Sequence, residues 1–181
     1  LAELTLSILA RVREKNAQAG YAADFIQVLS SLTPVLREQR GLKIVTNAGG
    51  MNPSSCAVAA AKVLADAGMQ DDAIGVVGGD DLAGHLARLQ AEGCKFENLD
   101  TGEPLDTTKY PPVSANAYLG ARPIADALSD GARHVVTGRV ADASLTLGPA
   151  LRELGWAWDD WQKLAAASVA GHVIECGAQA T

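Results

Sequence analysis

Four short segments of this chain collect residue types that do chemistry. Asn47-Ala-Gly-Gly-Met-Asn-Pro53 sets two glycines, Gly49 and Gly50, between two asparagines and directly before a helix start. Backbone without side chains approaches a ligand closely, and the free N–H groups of a helix N-terminus favour an anion such as a phosphate, a carboxylate or an enolate oxygen. The plain alternative is a tight turn capped by Asn52, although two asparagines exceed what a turn requires. The segment lacks the GK[ST] of a phosphate-binding loop and the GxGxxG of a dinucleotide fingerprint.

Gly78-Gly-Asp-Asp81 places two carboxylates where a strand gives way to a helix. Either Asp80 or Asp81 suits a helix cap, and the pair also suits a substrate hydroxyl or a hydrated Mg²⁺. No third carboxylate stands at a recognisable spacing, so no metal site is expected. Thr137-Gly-Arg-Val-Ala-Asp-Ala-Ser144 carries Arg139 and Asp142 three residues apart. An arginine offers a planar fork to a carboxylate or phosphate, and an aspartate can move protons; the bland reading is an ion pair between the two. His172-Val-Ile-Glu-Cys-Gly177 clusters His172, Glu175 and Cys176. A His–Glu pair suits proton transfer, while an unactivated cysteine is usually inert. His85 and His134 have no evident partners, and Trp156, Trp158 and Trp161 read as packing.

These segments need a scaffold, and the hydrophobic pattern supplies one. Leu1, Leu4, Ile8 and Val12 recur at helical spacing to about Ala17, and a second helix spans about 22–40 with Pro34 as a break or kink. Apolar runs at 42–46, 73–77 and 134–137 read as strands; helices are expected at 53–67, 82–92, up to about 130 after Ser114-Ala-Asn-Ala-Tyr-Leu-Gly120, at 145–154, and from Asp159-Asp160 to about Ala170. Residues 95–113 read as an irregular excursion, and 172–176 as a short strand or a loop. Alternating strands and helices predict an α/β fold, a mostly parallel sheet with helices on both faces in a three-layer, Rossmann-like arrangement. Ligands of such sheets sit beyond the carboxyl ends of the strands, where Asn47, Asp80, Asn116 and Arg139 collect here.

Composition narrows the function. The 181 residues hold 15 Lys and Arg against 21 Asp and Glu, a net charge of −6, which argues against nucleic acid as a partner. No apolar run approaches the ~20 residues of a membrane span. Cys56, Cys94 and Cys176 are far apart, so neither a disulfide framework nor a zinc knuckle is expected, and a cytoplasmic setting follows. No linker divides the chain, so residues 1–181 read as a single α/β domain. An opening inside a helical pattern and a close after a glycine-containing loop suggest a fragment of a longer protein.

Two resemblances extend these readings. The stretch Asn47 to Cys94, with its Gly-Gly loop, Ala-rich helix and IGVVGGDDLAG, resembles the amino-terminal half of ribokinase-like sugar kinases, although the GAGD-like phosphoryl-transfer loop of that family is not seen. More broadly, LAELTLSIL, GYAADFI, TNAGGMNP, GDDL, SANAYLGA, TGRVADASL and AGHVIECGAQAT, in this order, are similar to the acyclic terpene utilisation AtuA family along essentially the whole chain. That resemblance implies catabolism of acyclic terpenoids and branched acids carried as coenzyme A thioesters, in proteins several times longer. The expectation is an acid–base enzyme of hydro-lyase or hydrolase type acting on an acyl-CoA or carboxylic acid. Coenzyme A enters as part of the substrate and no separate cofactor is expected. Asn47, Gly49, Gly50 and Asn52 would hold an oxyanion, Asp80, Asp81, Asn116 and Arg139 would bind substrate, and Asp142 with Glu175 or His172 would move protons. The alternatives are a ribokinase-like phosphotransferase and a non-catalytic binding subunit of an acyl-CoA complex; homo-oligomerisation is left open.

Overall fold

A computed structural model describes residues 3–180. It shows seven α-helices and three strands among them: α1 (Glu3–Lys15), α2 (Ala23–Glu38), β1 (Ile44–Thr46), α3 (Pro53–Asp66), β2 (Ile74–Val77), α4 (Leu86–Ala91), α5 (Arg122–Ser129), β3 (His134–Thr137), α6 (Ser144–Leu154) and α7 (Trp161–Cys176). Short 3-10 turns precede α4 at Ala83–His85 and follow α7 at Gly177–Ala180. The strands form one small open parallel sheet in the order β1-β3-β2. β3 is central and every one of its residues is buried.

Strand alternation sends successive β3 side chains to opposite sides. Val135 packs with Ile124 and Leu128 of α5 and with Val45 and Val77, while Val136 meets Cys56 of α3, Ala48 and Ile74. A third cluster seals α2 on α3 through Leu29, Leu36, Ala60 and Leu64. Each such buried leucine or isoleucine contributes about 1.5–3 kcal/mol, more than any surface ion pair of this chain. Gly75 of β2 lies where α5 comes closest, and a Cβ there would stand 2.9 Å from that of Ala127. The α/β class and the parallel pairing agree with expectation. A three-layer, Rossmann-like arrangement is a finer claim than three strands establish. Among the described residues, no helix is long and apolar enough to cross a membrane.

Three local expectations change. Pro34 does not break α2, because Leu29, Thr33 and Leu36 are buried along one face and hold both halves in line. The helix expected over 82–92 divides into a 3-10 turn and the short α4. Residues 172–176 are neither strand nor loop but the last turn of α7, which buries Ala167 and Gly171 on one face. Residues 95–113 do form an irregular excursion. Of the apolar residues expected at the start of the first helix, Ile8 is exposed, whereas Leu1 and the side chain of Leu4 lie outside the described residues.

The amino edge of the sheet is tied to α2 by a buried charge cluster. Asp72 accepts from Arg40 at 2.7 Å and from Arg133 at 2.5 Å. Arg133 also donates to the carbonyls of Leu36, Gln39 and Leu42, satisfying the carboxyl end of α2. Burial pushes the Asp72 carboxyl up, but the bonds from Arg40, Arg133 and His134 outweigh it, and the net shift is below the usual 3.8. His134, with Nε2 3.5 Å from Asp72, is pushed down by burial despite that carboxylate.

Two outcomes follow. Arg133→Met should destabilise the fold by about 1–3 kcal/mol, because Asp72 keeps Arg40 but the carbonyls of Leu36, Gln39 and Leu42 lose their donor; chemical unfolding measures this. The unfolded chain protonates its histidine near 6.5 and the folded one only at lower pH. Stability is therefore full above 6.5 and falls as pH drops through that value, with a second loss below 3.8 as Asp72 protonates. Urea unfolding on either side of 6.5 should show the first slope in the parent chain and a flat response in His134→Gln.

Candidate functional site at the carboxyl edge of the sheet

Because the strands are parallel and in register, with Thr46 opposite Val136 and Val77 opposite Thr137, the loops that leave them emerge from one edge. Asp80 organises that edge. It is 3% exposed, and its Oδ2 accepts from the backbone N–H of Arg139 at 2.8 Å and from Asn116 Nδ2 at 2.9 Å. Its own carbonyl accepts from Ala117 N–H. The segment 115–119 thus lies between the loops after β2 and β3, bridging Asp81 through Asn116 on one side and Val140 through Leu119 on the other. Gly138 makes room for the carboxylate, since a Cβ there would stand 2.7 Å from Asp80 Cγ.

The NAGGMNP loop approaches from β1. Gly49 passes so close to β3 that a Cβ would lie 2.5 Å from the Thr137 carbonyl oxygen. Gly50 turns the chain at φ 52°, in the left-handed region that favours glycine, and donates its N–H to Asn47 O. Asn52 caps α3, accepting from Ser55 N–H at 3.2 Å, and spends both amide hydrogens on the carbonyls of Ala17 and Ala19. Its role is to hold the loop. Among the described residues, the backbone N–H groups of Gly49 and Ser54 make no hydrogen bond.

Asp81 divides its oxygens between Ala83 N–H and Arg13 of α1, 2.9 Å away, and Arg13 also donates to Met51 O at 2.6 Å. Arg13 was not legible as a site residue; the one signal is its place in the last turn before Gly20, where a Cβ would stand 2.9 Å from that of Arg13. A cleft of about 340 Å³ opens here beside Arg13, Met51, Asp81 and Val113. A larger hollow of about 680 Å³ lies in the 95–113 excursion around Phe96, Leu105 and Tyr110, and none of the expected site residues lines it.

Arg139 is 2% exposed, so the pair expected with Asp142 is not an open surface bridge. Its guanidinium lies over the Tyr118 ring, Cζ 4.2 Å from the centre, and reaches Asp142 Oδ1 at 3.5 Å. Tyr118 is a second residue that spacing did not reveal, since the 115–119 segment delivers it from far along the chain. Beyond Asp142, α7 rides on the start of α6. Gly171 sits so close to Ala143 that a Cβ would stand 2.9 Å from its Cα. This carries His172, Glu175 and Cys176 to the Asp142 end of the loop. Cys176 Sγ donates to Glu175 Oε2 at 3.3 Å and lies 3.7 Å from His172 Nε2. The Glu175 bond, burial, and the charges of Glu175 and Asp142 all push the Cys176 thiol up, so it stays protonated and is no ready nucleophile.

The structure therefore brings Asp80, Asn116 and Arg139 into direct contact, sets Asn47, Gly49 and Gly50 at the neighbouring strand end, ties Asp81 to α1, and gathers Asp142, His172 and Glu175 at one flank. The chain is an α/β protein with a small open parallel sheet whose polar loop residues gather beyond the carboxyl ends of the strands. The model of the acyclic terpene utilisation family protein AtuA matches residues 1–181, and the chain belongs to that family. No curated protein and no solved structure matches it.

Asp80→Ala should cost about 1–3 kcal/mol, since the buried Arg139 N–H loses its acceptor. Asp81→Ala, which breaks a half-exposed pair with Arg13, should cost no more than about 1 kcal/mol. Equal losses in thermal unfolding would remove Asp80 from the centre of the site.

Proposed function

We propose that this member of the acyclic terpene utilisation family is an acid–base enzyme of hydro-lyase or hydrolase type. Its substrate would be an acyl-CoA or branched carboxylic acid of terpenoid catabolism, handled in the cytoplasm. The family supplies the link to acyclic terpene utilisation. The observation that carries the rest is the Asp80 network, which sets Arg139 and its stacked Tyr118 next to Asp142 at the edge where ligands of parallel sheets bind.

In this reading Arg139 binds the anionic part of the substrate through its fork. Asn47 and the backbone N–H of Gly49 face the acyl oxygen, where a fixed donor is worth about 10²–10³ in rate, and Gly50 holds the turn through its own bond to Asn47 O. Asp142, half-exposed at the mouth, takes or gives the proton, with Glu175 or His172 relaying it. Asp80, Asp81, Asn116 and Asn52 hold these groups in place. A three-layer, Rossmann-like organisation belongs to the same proposal, supported by the two separate clusters that meet Val135 and Val136.

Acyl-CoAs and branched acids should raise the melting temperature, because a ligand at 100 times its Kd adds about 2.7 kcal/mol. Stabilisation by nucleotide with Mg²⁺ alone would replace this reading with a phosphotransferase. Asp142→Asn should change stability by no more than about 0.5 kcal/mol, as a half-exposed polar swap, yet abolish turnover of the stabilising ligand. Arg139→Lys should lower both, because lysine restores neither the stack on Tyr118 nor the fork. Full turnover by Asp142→Asn would rule out its proton role.

A further inference from the structure

We propose that His172, Glu175 and Cys176 bind a divalent transition-metal ion of the Zn²⁺ type on the last turn of α7. Because this turn is helical, positions i, i+3 and i+4 point to one side, a relation that a strand or loop would not provide. The ligating atoms all lie within 4.8 Å of one another, with Sγ to Nε2 at 3.7 Å and Sγ to Oε2 at 3.3 Å. Zinc bonds of about 2.3 Å to sulfur and about 2.0–2.2 Å to nitrogen and oxygen place tetrahedral ligands roughly 3.4–3.6 Å apart. The two pairs that involve sulfur already stand near that spacing, and the His172–Glu175 pair, within 4.8 Å, would close by side-chain rotation about the exposed end of the helix.

Charge favours the same occupant. Two carboxylates, Glu175 and Asp142, lie near the thiol, Glu175 with Oε2 3.3 Å from Sγ. A divalent cation neutralises that excess: the Cys176 S–H bond breaks, its proton leaves to solvent, and the sulfur keeps the electron pair and bonds the metal. The mixed sulfur, nitrogen and oxygen set suits a borderline-soft ion and disfavours Mg²⁺ and Ca²⁺, which take oxygen. Three protein ligands leave a fourth position for water or for Asp142. The packing of Gly171 on Ala143 fixes which way this face of α7 is turned. The inference goes beyond the acid–base reading: with the ion bound, His172 and Glu175 serve as ligands and the proton role falls to Asp142 alone, and the test uses no substrate, so either reading can fail alone.

The test titrates the reduced full chain with Co²⁺, a spectroscopic stand-in for Zn²⁺. A thiolate-to-cobalt charge-transfer band should saturate at a single equivalent and be bleached by Zn²⁺. Cys94→Ser should retain the band and Cys176→Ser should lose it. Loss of mere outer-sphere support costs metal affinity about 10–100-fold, so His172→Ala and Glu175→Gln should each weaken binding at least tenfold. Without metal, all four variants should melt with the parent chain, and Zn²⁺ should raise the melting temperature of the parent but not of Cys176→Ser. No band, a band that survives Cys176→Ser, or unchanged affinity in both His172→Ala and Glu175→Gln would overturn the assignment and leave only a Glu175–Cys176 hydrogen bond.

Discussion

The carboxylate of Asp80 is the interaction on which the polar edge depends. Three loops and the 115–119 segment arrive there from elements separated by up to 59 residues from Asp80 to Arg139, with little regular structure among them. A buried carboxylate needs hydrogen-bond donors, and here the Arg139 N–H and the Asn116 amide both reach its Oδ2. That requirement places the neighbours in turn. Residue 138 must be glycine to leave space for the carboxylate, and residues 115–119 must run between two strand ends to deliver Asn116. The guanidinium of Arg139, held by its own main chain, is then presented under Tyr118 toward Asp142.

At the amino edge the buried carboxylate of Asp72 plays a different part. It is surrounded by full charges, Arg40 and Arg133, and Arg133 spreads its remaining donors over the last carbonyls of α2. One end of the sheet is therefore fastened by an ion cluster that joins helix to strand. The other is fastened by neutral N–H donors, which leave the arginine head group at that edge available to stack and to pair. The two edges use the same residue type to opposite ends, rigidity in one and presentation in the other.

Much of this was legible from residue order. β-branched runs ending in Gly, Asn or Asp marked the strand ends, and Pro53 after Asn52 marked a capped helix start, because those features act over a few residues. The gathering of Asn47, Asp80 and Arg139 on one edge followed from parallel pairing, whereas Asn116 reaches it through its contacts with Asp80 and Asp81. What could not be read were the contacts between distant segments: Arg13 on Asp81, Tyr118 on Arg139, and Arg133 on Asp72. The last turn of α7 failed for another reason. His-Val-Ile-Glu-Cys has strand-like composition, and only the burial of Ala167 and Gly171 against α6 decides for the helix. The chemistry expected of that segment changes with it, since a helical turn converges side chains that a strand would spread.

The strand order carries a consequence for how the chain reaches this state. β1 and β2 never pair with each other; both pair only with β3, which is synthesised 88 residues after β1 ends at Thr46 and begins at His134. Without β3, the three-residue β1 and the four-residue β2 would have no partner in the described sheet. Insertion of β3 then zips both neighbours, buries Val135 and Val136 on their two sides and brings Gly138 under Asp80 in one closure. Long-range pairing of this kind is intrinsically slow. The polar edge therefore depends on the same strand as the sheet, since the Arg139 N–H that meets Asp80 stands two residues after β3 ends.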